Sequence, residues 1–516
     1  MSTKYNYTWV NLISMSLAIF VLAFNTSALV NALPVICVQY DLEVSNLQWI
    51  MNVYMLAAAS FILIGGKLGD IFNRKKLFLF FSILYSLSSL MIAIIDSPSV
   101  LLAGRLVQGI CAAFVTSGSL AFVKLIFDPR RLILAIGLWS GLSGLGCAIG
   151  PFLGGILTDI ISWKAIFWLN FITMGVVIFL SRKYLPQPCH HSNRNVGIDI
   201  KGFILFSFSI FSITYGLIRM SDSGIFNLLS ILFIVVGVTL FFIFVITENK
   251  TEHPLLHFEL LKNNYFLCGI IGLFIIMISE MGIPYFLNIY MQNKIILDYS
   301  PGESGVMVLP FTVAIFIFSF AAHLLVKIIG NRQHLAVLLS LTAIIVGDLI
   351  LLLGCWTISL KVIVTALIIM GSGMGLCAPL INTLSMGSVH NDNAGEASGI
   401  VNTLSYIAEL SGIVICNLFF FGTGHLKLSL NSRLLKPEHL SYNTMDKILL
   451  GKGQEVLEII KSYPTDIQKE IFLLAKNSVI ISMSVTILFL VIITITATIS
   501  ARYLLKNPMS QTSVNR

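Results

Sequence analysis

Charge is what this chain has least of. Only 11% of its 516 residues are Asp, Glu, Lys or Arg against 57% hydrophobic, and mean hydropathy is +0.91. No water-soluble domain spreads so little charge over that length, and apolar runs long enough to cross a bilayer recur from end to end. Paired cysteines are missing as well. The eight (Cys37, Cys111, Cys147, Cys189, Cys268, Cys355, Cys377, Cys416) stand singly, mostly in apolar runs and never as CxxC, which excludes a disulfide framework. Cys189-His190-His191 cannot complete a metal shell alone and reads as solvated linker, so no metal or cofactor is expected. There is no Walker loop, zinc-protease motif or nucleophile elbow, so ATP does not drive the protein directly and enzyme chemistry has no candidate. The first apolar run lacks a basic region followed by a small-residue cleavage site, and reads as a retained helix.

What is present is a set of fourteen candidate spans: 9–33, 46–65, 77–95, 99–125, 132–158, 163–180, 199–219, 224–246, 264–290, 302–326, 334–354, 361–385, 396–421 and 477–499. Basic loops orient such a chain. With the N-terminus inside, the inner segments hold Lys67, Arg74, Lys75, Lys76, Lys124, Arg130, Arg131, Arg182, Lys183, Arg194, Lys201, Lys250, Lys262, Lys327, Arg332, Arg502 and Lys506. The short outer loops hold Lys164, Lys294 and Lys361, with Arg219 at the outer end of span 7. The net charge of +8 therefore collects in cytoplasmic loops and calls for no nucleic acid. A multi-pass protein of the cell membrane with both termini cytoplasmic is expected, with the lipid bilayer as a partner. The long outer loop 422–476 carries eight basic residues, but loops of that length cross largely regardless of charge. Its stretch 445–474 mixes charges with the apolar pairs Leu449-Leu450 and Ile459-Ile460 and is divided by Pro464, which predicts two short amphipathic helices on the outer surface.

Span 5 is the most distinctive stretch. Gly137, Gly141, Gly146, Gly150, Gly154 and Gly155 line it, with Pro151 after Gly150. In water each glycine would cost a helix about 1 kcal/mol against alanine. In a membrane small residues let backbones approach closely, and neighbours satisfy the groups a proline frees. The spacing G(x8)G(x3)GP(xx)GG at Gly137, Gly146, Gly150, Pro151, Gly154 and Gly155 resembles the helix 5 antiporter motif of major facilitator superfamily exporters.

Other stretches carry the same resemblance. Gly66-Lys-Leu-Gly-Asp70-Ile-Phe-Asn-Arg74-Lys-Lys is similar to the superfamily's loop signature between helices 2 and 3, with Asn73 where glycine is usual. Asn is the next residue most tolerant of positive φ, so the departure is mild. The resemblance implies that Asp70 closes the cytoplasmic gate by facing the N-terminus of helix 13 near Gly395. Arg105-Leu-Val-Gln108-Gly109 resembles the helix 4 motif, and a charge at that depth ordinarily faces the bundle interior. Phe24 to Pro34 and Trp49 to Ala57 resemble the fourteen-helix drug:proton antiporter branch, which typically has aspartate where this chain has Asn25. An amide cannot carry a proton or pair ionically, so that carboxylate role is absent from helix 1.

Three other carboxylates fall inside spans: Glu280 in span 9, followed by Gly282 and Pro284; Glu409 in span 13, on a polar stripe with Asn402 and Ser405; and Asp348 in span 11. Desolvation favours the neutral form of a carboxyl group, so such a residue can trade a proton for a cation. Each is equally able to be a hydrogen-bonded structural acid, and His323 in span 10 reads as structural.

The expected fold is an all-α polytopic membrane protein with the major facilitator architecture: a six-helix half (1–186), a linker with inserted helices 7 and 8 (187–262), and a second six-helix half with the outer loop (263–516). The inserted pair is expected to face lipid. The expected function is export of amphipathic or lipophilic, cationic small molecules coupled to inward proton flow, through a cavity lined by Asn25, Tyr54, Arg105, Gln108, Glu280, Asn402, Ser405 and Glu409. The rivals are a dedicated metabolite or siderophore exporter on the same fold, and a transporter-like sensor or scaffold. A periplasmic adaptor is neither named nor excluded.

Overall fold

A computed structural model describes residues 7–40, 44–186, 199–223, 227–251, 259–299, 301–330, 332–390, 393–430 and 464–504, with positions 254, 256, 445, 448–451 and 461. Cys189, His190 and His191 lie outside the described residues. Among the described residues the chain is helical, with no strand. The long helices are α1 (Thr8–Tyr40), α2 (Val44–Ile71), α3 (Arg74–Ile94), α4 (Pro98–Ile126), α5 (Pro129–Ile160), α6 (Lys164–Tyr184), α7 (Ile200–Ser223) and α8 (Leu228–Glu248). After a turn at Glu259–Lys262 come α9 (Asn264–Gln292), α10 (Pro301–Ile328), α11 (Gln333–Thr357), α12 (Leu360–Gly387), α13 (Ala394–Leu430) and α14 (Thr465–Leu504). All fourteen are long and apolar enough to span a membrane.

The helices pair twice in the same pattern. α1 packs on α5 and α6, α2 on α4, and α3 on α4 and α6; eight helices later α9 packs on α13 and α14, α10 on α12, and α11 on α12 and α14. Individual contacts repeat too. Gly109 abuts the Tyr54 carbonyl and Ala57, and Gly371 abuts the Phe311 carbonyl and Ala314. A β-carbon at Gly146 would lie 2.6 Å from the Phe20 carbonyl oxygen, and one at Gly412 would lie 2.5 Å from that of Ile278. The halves meet along α2 against α13 and α5 against α10, which are images of each other.

Asn73 has φ −68° and ψ 102°, and its side chain accepts from the Lys76 N–H at 3.0 Å as the N-cap of α3. A capping side chain, which glycine lacks, accounts for the residue. α1 continues past Leu33 to Tyr40 because its end is tied down. Gln39 and Tyr40 donate to Asp96 at 3.0 and 2.7 Å, and Lys164 at the start of α6 pairs with the same carboxylate at 3.0 Å. The Tyr40 hydrogen bond, reinforced by Lys164, holds the Asp96 carboxyl below the usual carboxylate range.

Of the two surface helices expected in 445–474, most of 446–463 lies outside the described residues, while positions 445 and 448–450 are helical. Met445, Ile448 and Leu449 are buried, with Leu449 over Gly424 of α13. The Asn293 amide donates to the Leu449 carbonyl at 2.9 Å, and Lys294 N–H to that of Gly451 at 3.2 Å. The apolar pair thus serves the protein interior, and the residues after Pro464 begin α14, whose 40 residues far exceed a bilayer crossing.

The inserted pair is not uniformly a lipid-facing spacer. α7 packs on α2 and α13, across the seam between the halves. Its Ser207 hydroxyl donates to the Ser60 carbonyl at 3.4 Å, and Phe203 and Tyr215 meet Phe61 and Trp49. Side chains that hydrogen-bond and stack give α7 a protein-facing side. α8 touches α7 and is otherwise exposed, as its hydropathy of 3.1 requires.

Gly150 tests the close packing. A side chain there would meet Ser27 and, at 2.9 Å, the Ala28 amide nitrogen, whereas one at Gly144 would meet only Ile315 at 3.6 Å. Gly150→Leu should cost about 1–3 kcal/mol through overpacking, seen as a lowered thermal midpoint of the purified protein and loss of transport. Gly144→Leu should lose less. Equal losses would contradict the packing described.

Candidate functional site

The polar residues of the first half converge on one amide. Gln108 Oε1 accepts from Arg105 Nη1 and from Asn25 Nδ2, both at 3.3 Å, while Gln108 Nε2 donates to Ser89 at 2.8 Å. Asn170 of α6 donates to Asn25 Oδ1 at 2.7 Å, and Arg105 Nε donates to the Ile50 carbonyl at 3.1 Å. Helical spacing sets this up, since Arg105 and Gln108 share a face of α4 at i, i+3. Asn25, Ser89, Arg105, Gln108 and Asn170 are all fully buried. The guanidinium carbon lies 4.2 Å over the Tyr54 ring, a cation–π contact.

The second half brings two acids together. Glu280 of α9 and Glu409 of α13 are half-buried and near enough for their charges to interact. Cys147, in the glycine stripe of α5, lies beside both. Tyr406, one turn before Glu409, lies within electrostatic range of Tyr54 in the first half and of Glu409. Asp348 stands apart: it is fully buried on α11 and neither oxygen has a hydrogen-bond partner among the described residues. Asn402 and Ser405 bond to their own helix, at Ser398 and Val401. His323 bonds the Phe320 carbonyl on its own helix at 2.7 Å.

At the end of the bundle that carries the basic loops, the halves are clamped. Asp70 accepts from the Gly395 and Glu396 N–H groups at 3.0 and 2.8 Å, in the first turn of α13, and pairs with Arg74. A carboxylate there answers the positive end of the helix dipole. Gly66 and Gly395 are in backbone contact, so neither tolerates a side chain. Lys67 pairs with Glu396 at 3.0 Å, Ser398 donates to the Ser117 carbonyl at 2.8 Å, and Lys124 donates to the Val389 and His390 carbonyls past the end of α12. Lys67–Glu396 and Lys124 went unread in the sequence, where a lysine in an inner loop signals only orientation.

The glycine stripe serves two interfaces. Gly137 and Gly141 face Ser319 of α10 in the other half, whereas Gly146, Gly150 and Gly154 face α1 in their own. Gly155 is half-buried, and α5 runs unbroken through position 151, whose side chain lies outside those described.

A sequence model of the Major Facilitator Superfamily matches residues 15–413. The chain is 29% identical over 405 residues to the multidrug resistance protein Stp of Mycobacterium tuberculosis, covering 78% of this chain and 74% of that one. It is 29% identical over 402 residues to the puromycin resistance protein pur8 of Streptomyces alboniger (75% and 76% covered). It is 25% identical over 415 residues to the quinolone resistance protein NorB of Staphylococcus aureus (78% and 86% covered). The crystal structure of the human organic anion transporter MFSD10 (TETRAN) aligns with TM-score 0.59 at 14% identity, over 96% of this chain and 100% of that one, a likeness of fold alone.

The clamp is open to test by thiol labelling from the basic end. Ser398 is fully buried behind Asp70. Hydrogen bonds to a charged acceptor contribute about 1.5–3 kcal/mol, so in a cysteine-free background Asp70→Asn should raise labelling of Ser398→Cys several-fold. Asp128→Asn, in the next loop, should not. An unchanged rate with Asp70→Asn would show that the carboxylate does not hold the halves together.

Proposed function

Because the chain belongs to the Major Facilitator Superfamily, whose members are transporters rather than enzymes, we propose that it exports amphipathic and lipophilic compounds by alternating access, coupled to inward proton flow. The observation that carries this reading is the Glu280–Glu409 pair, two acids within electrostatic range of each other inside the helix bundle. Two carboxylates repel when both are ionised, and either a proton or a substrate cation relieves that repulsion. Competition for one pair is antiport. The resistance roles in the relatives' names support the direction of transport. In this reading the basic end is cytoplasmic, both termini are inside, and the protein lies in the plasma membrane. Asp348, remote from the pair, serves structure in this scheme. The neutral Asn25 at the centre of the first half's network favours a second reading, a dedicated metabolite or siderophore exporter, because helix 1 adds no counter-charge for a cationic drug.

Proteoliposomes with a pH-sensitive dye test the coupling. Glu409→Gln should abolish substrate-induced proton release while leaving binding of neutral compounds measurable. Glu280→Gln should weaken release by removing the second charge. Loss with Glu280→Gln alone would move the coupling to α9, and normal release in both variants would refute it. A susceptibility panel in a sensitive host separates broad efflux from a single dedicated substrate.

A further inference from the structure

Arg105 is a buried cation with no acid among the described residues to answer it. Its side chain is 0% exposed, and its hydrogen bonds go to a backbone carbonyl and to the Gln108 amide. Nη2 has no partner among the described residues. Its electrostatic neighbours are the two phenols Tyr54 and Tyr85, and no carboxylate is among them. The side chain best placed to supply a counter-charge, Asn25, bonds the same Gln108 oxygen and is a neutral amide. A buried charge lacking a partner is strongly unfavourable, and side chains kept in that state inside membranes mark substrate or ion paths.

The surroundings say where the missing charge enters. Tyr54 stacks on the guanidinium, its hydroxyl has only the Thr26 hydroxyl near it and no well-formed hydrogen bond, and it lies within electrostatic range of Tyr406 of the other half. An unsatisfied Nη2 donor beside a phenol hydroxyl is a donor set suited to the two oxygens of one carboxylate. Tyr406 also lies within electrostatic range of Glu409, which is itself within range of Glu280, so the buried cation of the first half has two acids of the second half as its nearest charged counterparts through Tyr54 and Tyr406.

We propose that Arg105 and Tyr54 dock a carboxylate carried by the substrate, so that the preferred cargo is an amphoteric compound whose acid meets the first half and whose cation meets Glu280 and Glu409. This deepens the exporter reading and rests on it. It makes Arg105 and Tyr54 specificity-determining residues. Asn25 becomes a selector by what it is not: a carboxylate there would occupy the same network and compete with the substrate's acid.

Binding to the full chain in nanodiscs tests this with two fluorescent probes, rhodamine B, a lipophilic cation bearing a free carboxylate, and its ethyl ester, the same cation without the acid. Wild type should bind the acid about ten-fold more tightly than the ester, equivalent to about 1.4 kcal/mol. Asn25→Asp, nearly isosteric and so least disruptive, should bring that ratio to about one, and Tyr54→Phe should lower it by removing one donor. Equal affinity of wild type for both probes, or a ratio unmoved by Asn25→Asp, would overturn the proposal. So would loss of the preference when gluconate is replaced by chloride, because an inorganic anion would then be the natural occupant. Acid preference without proton-driven uptake into inverted vesicles would refute the exporter reading and leave the docking site standing.

Discussion

The contact on which the rest depends is the Asp70 carboxylate at the N-terminus of α13. It joins the two halves at the end of the bundle that carries the basic loops. Around it Lys67 reaches Glu396 and Lys124 reaches the carbonyls past α12. The corner between α12 and α13 is thus gripped at its negative end by a lysine and at its positive end by an aspartate, both from the opposite half. Backbone contact at Gly66 and Gly395 brings these groups within hydrogen-bonding range. Each bond is individually modest. The clamp can therefore hold one conformation and still release it for a few kcal/mol, as alternating access requires.

Much of the fold was legible because a bilayer imposes length and composition together. Fourteen apolar runs became fourteen spanning helices, and the glycines of α5 do sit where backbones touch. What was missed lies where the lipid constraint ends. α1 and α14 outrun their hydrophobic spans, since Asp96 fastens the first and the second begins directly after Pro464. Leu449 read as a surface residue because its partner Gly424 lies 25 residues upstream across a polar loop. Serines and aromatics on α7 gave no periodic signal, yet they place it at the seam.

The site was legible residue by residue but not as an arrangement. Membrane-embedded polar residues are few, so Asn25, Arg105, Gln108, Glu280 and Glu409 stood out. Only the fold shows that Gln108 is the hub of one cluster and that the two glutamates form a second. Ser89 and Asn170 were hidden because serine and asparagine are unremarkable within a helix. Cys147 was hidden among small residues, and Tyr406 among the aromatics. Asp348 and the pair Asn402 and Ser405 looked equivalent to the others in sequence, whereas the packing sets them apart.

In the proposed scheme, protonation at Glu280 and Glu409 is what releases the contacts at the basic end. An exporter driven by protons must carry them to the cytoplasmic side, so the protonated form has to be the one that opens there. Electron–electron distance measurements between spin labels at Lys183→Cys on α6 and His334→Cys on α11, both exposed, report that opening directly. Wild type at neutral pH should give mainly the short, clamped distance, and Glu280→Gln with Glu409→Gln should add a population at longer distance. A distance distribution identical to wild type in the double variant would contradict the account.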